Sequence, residues 1–153
     1  MAGTALVMWI VTIGGGALLV APWLARGGAT RPADADLQGG TPAKSTVMTQ
    51  RTRSRIGLSM IVPHASLAIV GAIVWALFSL NEDDIGYGPA RWLASALLLA
   101  TIAYGMVMFS RWLADRREGT DERPEQHFPV ALVAFHGLGA LATLLLVLLV
   151  AVD

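Results

Sequence analysis

The sequence predicts an all-α fold, a four-helix bundle embedded in a membrane, and three observations carry that reading. Of 153 residues, 55% are hydrophobic and only 14% are charged, where a soluble domain of this size carries about 25% charged residues. Apart from Asp153, the charges are segregated into three short stretches, 26–55, 81–91 and 111–127. The four apolar runs around them are each long enough to cross about 30 Å of hydrocarbon at about 1.5 Å per residue.

The first run, about Ala5–Ala25, has no basic residue ahead of it, and its nearest positive charges follow it. It therefore reads as a retained helix and not as a cleaved leader. Gly14-Gly15-Gly16 within it suits close helix packing, because small residues let backbones approach in lipid. The second run is Gly57–Leu80, the third Arg91–Leu113 and the fourth Phe128–Val152. Their Leu and Ala content favours helices over barrel strands, which would alternate strictly over about ten residues. The chain thus reads as one membrane domain over 1–153. Its longest connection, 26–56, is rich in Gly, Ala, Thr and Pro and reads as mobile.

Charge fixes the expected orientation. The loops at 26–56 and 111–127 hold ten Lys and Arg residues, and the loop at 81–91 holds Arg91 alone. The positive-inside rule then puts loops one and three in the cytoplasm and both termini on the non-cytoplasmic side of the plasma membrane. Trp23 and Trp112 fall near the cytoplasmic interface and Trp92 near the outer one. The basic run Thr49–Arg55 reads first as a topology signal in contact with anionic lipid. A net charge of zero gives no case for nucleic acid, so the expected partners are the bilayer and a partner membrane protein or a second copy of the chain. The absence of cysteine excludes disulfides, thiolate metal sites and covalently attached haem.

No catalytic motif is present: no GxSxG, HExxH or Walker loop. The spans also lack interior Asp, Glu, Lys and Arg, which counts against ion-coupled transport. What stands out is a pair of intramembrane histidines. His64 lies seven residues beyond Gly57 and His136 eight beyond Phe128. Both helices leave the cytoplasm in the same direction, so both imidazoles lie about 10–12 Å below that interface. Level histidines on two helices are what a b-type haem needs, since iron takes axial nitrogens on opposite faces of a flat ring. Glycine gathers at that depth: Gly105 on the third helix, Gly16 on the first, and Gly137 and Gly139 beside His136. The candidate site is therefore His64 and His136 as axial ligands of one haem iron near the cytoplasmic face, with Gly105 and Gly137 making room. Arg53, Arg55, Arg111 or His127 would face the propionates.

On these residues the chain resembles small bis-histidine cytochrome-b-type membrane domains, in which a four-helix bundle holds haem between facing histidines. The resemblance implies an electron-transfer subunit with haem b, though the chain lacks the second histidine pair of two-haem members. The segment Glu125–Val130 with His136-Gly137 is also similar to one in small bacterial four-helix membrane proteins, a likeness that implies no activity. Other readings of the residues stay open. The histidines can simply fix packing by hydrogen bonds across helices, in a cofactor-free accessory or scaffold subunit of a larger membrane complex, or they can bind a metal or a quinone. Met106 and Met108 read as core in a Leu-rich span, and His127 as a solvated helix start near Pro129.

Overall fold

The structure, a computed structural model, describes residues 1–29, 54–81, 87–118 and 123–152. Within them lie four helices, α1 (Ala2–Ala25), α2 (Leu58–Ser79), α3 (Gly88–Glu118) and α4 (Val130–Val152). All four are long and apolar enough to cross a membrane. A short 3₁₀ turn, Pro124–His127, leads into α4. The expected mobility of the first loop falls mainly on 30–53, which lies outside the described residues.

The ends of the helices follow local chemistry. α1 stops where Gly27 turns to a positive φ of 77°, and the Gly28 N–H closes on the Trp23 carbonyl at 3.0 Å. That left-handed cap suits glycine, which pays no Cβ penalty there. Gly28 is needed for a different reason: a Cβ on it would run into the Trp23 indole. α3 runs past the apolar stretch that ends at Leu113 and carries Arg116 and Arg117 in its last turn, where cations complement the helix dipole. Its 31 residues span about 46 Å, more than the hydrocarbon thickness, so the charged last turn projects beyond the apolar layer.

The helices stand in chain order around the bundle. α1 packs most extensively on α4 and α2 on α3, while the α1–α2 and α3–α4 contacts are lighter. α2 and α4 therefore face each other across the middle. Two buried apolar clusters fill the bundle. One gathers Ala5, Trp9, Ala72, Trp75, Ala94, Leu98 and Val147. The other gathers Trp23, Ile56, Ile61 and Trp112 at the opposite end. The Trp75 indole donates to the Ala2 carbonyl at 3.0 Å, and the Trp23 indole to Ser54 Oγ at 3.1 Å. These two buried indoles thus keep a partner, as a polar group in an apolar interior needs, whereas Trp112 Nε1 is buried with none among the described residues. The outward faces carry Val7, Ile10, Leu18, Val62, Ile73 and Leu141, all exposed, which is the pattern of a surface facing lipid.

Candidate functional site

Between the two apolar clusters the imidazoles of His64 and His136 meet. Their ring centroids are 6.1 Å apart and their planes are inclined by 68°. The expected convergence of the two spans on one level is thus present, with both side chains pointed into the bundle and half-buried.

Each ring is tied to the neighbouring helix by its Nδ1. His64 Nδ1 lies 3.0 Å from the Thr101 carbonyl on α3, and His136 Nδ1 lies 2.9 Å from the Thr12 carbonyl on α1. A carbonyl can only accept, so each Nδ1 must carry the hydrogen and donate it. In the neutral imidazole that leaves Nε2 as the lone-pair nitrogen. The arrangement is the one seen in metal-ligating histidines, where the far nitrogen is fixed by a backbone carbonyl and the near one is left to coordinate.

Glycines admit the rings. A Cβ on Gly16 would lie 2.9 Å from His136 Cε1, and one on Gly105 would lie 3.2 Å from His64 Cε1. Gly105 is therefore at the site, as its depth suggests. Gly137 is not, for it is exposed and a Cβ there would meet nothing within 4 Å. Gly139 serves packing instead, seated against Thr12.

The sequence reading missed the threonines, and a repeat signals them. Thr12-Ile-Gly-Gly-Gly16 on α1 and Thr101-Ile-Ala-Tyr-Gly105 on α3 share the pattern Thr-Ile-x-x-Gly. Trp23-Leu-Ala25 and Trp112-Leu-Ala114 follow them at the same distance, so each matched pair is 89 positions apart. Burial repeats as well, since Ala5 and Ala94, Thr12 and Thr101, and Trp23 and Trp112 are all buried. Both threonines also return their hydroxyls to the carbonyl four residues back, Met8 and Leu97, at 2.8 Å. The bundle is thus two like hairpins, α1–α2 and α3–α4, each lending a histidine to the middle and a carbonyl to the other's histidine. Two hairpins that start in the same direction are parallel repeats about an axis along the bundle, an arrangement known among membrane proteins.

Whether a haem suits the site can be tested on these observations. Two imidazoles that bind one ion at about 2 Å each put their nitrogens roughly 4 Å apart. Ring centres then fall one ring radius further out at each end, in keeping with the 6.1 Å separation. The donors fit. The room beside Gly16 and Gly105 is filled by the imidazoles themselves, so a flat macrocycle needs the hairpins to separate there. Of the residues expected to face propionates, Arg53 lies outside the described residues. Arg55 already binds Asp115 and Glu118, Arg111 donates to the Arg55 carbonyl at 3.1 Å, and His127 Nδ1 lies 3.3 Å from the Arg123 carbonyl.

A second polar grouping sits at the end of the bundle where α3 stops. Arg55 Nε lies 3.1 Å from Asp115 Oδ1, and Arg55 Nη2 lies 2.7 Å from Glu118. Arg123 also reaches Asp115 Oδ1, and the Arg55 backbone N–H donates to Glu125 Oε1 at 2.5 Å. The Glu118 bond, ahead of the charges of Asp115 and Glu125, holds the Arg55 guanidinium above its ordinary value. These ties join the segment entering α2, the end of α3 and the turn entering α4.

No protein-family model, curated protein or solved structure matches the chain. Its class is the one its own geometry defines: a chain of four potential membrane spans, with two histidines meeting inside the bundle.

Proposed function

We propose that the chain is a small plasma-membrane subunit that holds one haem b between His64 and His136 and passes electrons to or from a partner membrane protein. The observation that carries this reading is the matched state of the two rings. Both Nδ1 atoms are occupied by backbone carbonyls, at 3.0 and 2.9 Å, and both Nε2 atoms are left to coordinate. A bis-imidazole haem supplies a one-electron couple, with its potential set by axial ligands, hydrogen bonding and burial. The residues of this chain orient it. Thr12 and Thr101 fix each tautomer and stiffen each ring, and the backbone bond to Nδ1–H raises the basicity of the ligating nitrogen. The apolar clusters above and below limit water at the site.

On the same reading, loops one and three are cytoplasmic and the termini are outside, because ten of the eleven Lys and Arg residues flank those loops. The haem then lies nearer the cytoplasmic face. One observation favours a second reading, a cofactor-free scaffold subunit. The Nδ1 bonds already join α1 to α4 and α2 to α3, and the imidazoles already fill the space beside both glycines.

The two readings part in a spectrum. The full chain is expressed with haem supply, purified in mild detergent and scanned before and after reduction. The haem reading expects a Soret band and sharp reduced α and β bands at about one haem per chain. A colourless protein that also takes up no added haemin would leave the scaffold reading.

A further inference from the structure

The grouping at the end of α3 contains two carboxyls that the histidine site does not use. Asp115 and Glu125 are both fully buried, at 0% exposure. Both are held on one residue, Asp115 Oδ1 on the Arg55 Nε at 3.1 Å and Glu125 Oε1 on the Arg55 backbone N–H at 2.5 Å. Each has one oxygen accounted for: Asp115 Oδ1 takes the two guanidiniums, and Glu125 Oε1 takes the Arg55 N–H. Each also has one oxygen, Asp115 Oδ2 and Glu125 Oε2, that is buried with no hydrogen-bond partner.

Two buried acceptors without a donor are costly, and two ionised carboxylates buried around one arginine are costlier. The charges point the same way. Among the described residues, the guanidiniums of Arg55 and Arg123 face the carboxyls of Asp115, Glu118 and Glu125, which leaves one negative charge over. A divalent cation is a poor remedy beside two guanidiniums, whereas a single proton supplies one donor for two acceptors and balances the charge.

We propose that Asp115 and Glu125 form a proton-binding site, with one proton shared between Asp115 Oδ2 and Glu125 Oε2. The O–H stays on one carboxyl and donates to the other, and on release the proton passes to water. Such a pair titrates as a unit. The groups that face it are Arg55 on the segment entering α2, Glu118 on α3 and Arg123 before the 3₁₀ turn. Arg111 and His127 are engaged with the carbonyls of Arg55 and Arg123. α1, which also packs on the turn, brings only Arg26, held on the Pro22 carbonyl at 3.2 Å. Asp115 lies beyond Leu113, outside the apolar span, and burial pushes its carboxyl above the usual range against the pull of Arg123 and Arg55. The site stands at the start of both histidine-bearing helices, so its proton holds their entry segments together. It does not depend on haem.

Infrared spectroscopy of the full chain in mild detergent tests this directly. At neutral pH the chain shows the carbonyl stretch of a protonated carboxyl, which shifts down in deuterated water and disappears in one step as the pH is raised. Glu125→Gln and Asp115→Asn each remove it. A carboxyl held protonated by the fold stabilises the folded state at low pH and loses that contribution as pH rises through its folded midpoint. The wild-type melting temperature therefore falls across the same step, and that of Glu125→Gln stays level. Absence of the band from the folded wild-type chain at every pH above about 5, where free carboxyls have ionised, overturns the proposal, and this arm needs no variant to fold. A band that survives both substitutions overturns it, and so does loss of the band on adding magnesium or calcium at constant pH, which would assign the two oxygens to a cation.

Discussion

At the scale of single residues, the histidine site depends on what glycine leaves out. The hydrogen bond from His136 to the Thr12 carbonyl runs past Gly16, one turn further along α1, and the bond from His64 to Thr101 runs past Gly105 in the same way. Gly16→Ala puts a methyl 2.9 Å from a ring that cannot swing aside without losing its bond. Overpacking of this kind costs about 1–3 kcal/mol, against a gain of about 1 kcal/mol in helix propensity. We expect Gly16→Ala to lower the melting midpoint in a fixed detergent and Gly105→Ala, with its 3.2 Å approach, to lower it less. Gly14→Ala and Gly137→Ala, which meet open space, should leave it level or raise it. A drop as large at Gly14 as at Gly16 would contradict this account. The histidines, Gly16 and Gly105 were legible in the sequence because depth along a helix follows from counting residues. Gly137 was not, because the next residue on a helix is turned by about 100°, and a neighbour in sequence is a stranger in space.

At the scale of helices, the four spans were legible because lipid demands about 20 apolar residues and nothing else in the chain supplies them. The extension of α3 to Glu118 was not, since Ala114–Glu118 contains good helix formers and no Gly or Pro to mark an end. The pairing of α1 with α4 was also hidden, because hydropathy orders spans along the chain and not around a bundle. It is testable by a cross-link. The chain has no cysteine, so an introduced pair is unambiguous. A Cβ built on Gly139 lies 3.6 Å from Thr12 Cβ, within the range of about 3.5–4.5 Å that a disulfide spans. Thr12→Cys combined with Gly139→Cys should oxidise quantitatively and lose both thiols to maleimide labelling. Gly14→Cys with Gly139→Cys should keep them, since a side chain at Gly14 meets nothing. Equal oxidation of both pairs would mean that α1 is rotated from this packing.

At the scale of the whole molecule, the chain is two like hairpins, and its charge divides it a second way. With ten basic residues on the loops at one end and one at the other, a reporter at either terminus should lie outside the cytoplasm. An alkaline phosphatase fusion to the C-terminus should be active, and one within the first loop inactive. The reverse pattern would turn the whole bundle over and place the histidines toward the other face. The repeat adds a demand of its own on the haem reading. Because each hairpin gives one imidazole and one supporting carbonyl, the two ligands are equivalent, and neither can be spared. The most direct measurement is the low-spin haem spectrum of His64→Ala, His136→Ala and His127→Ala, purified side by side with the parent chain. The account predicts that the first two lose low-spin haem to the same degree while inserting normally, since losing a membrane hydrogen bond costs only about 0.6 kcal/mol, and that His127→Ala keeps it. A low-spin spectrum that survives in either His64→Ala or His136→Ala would contradict it.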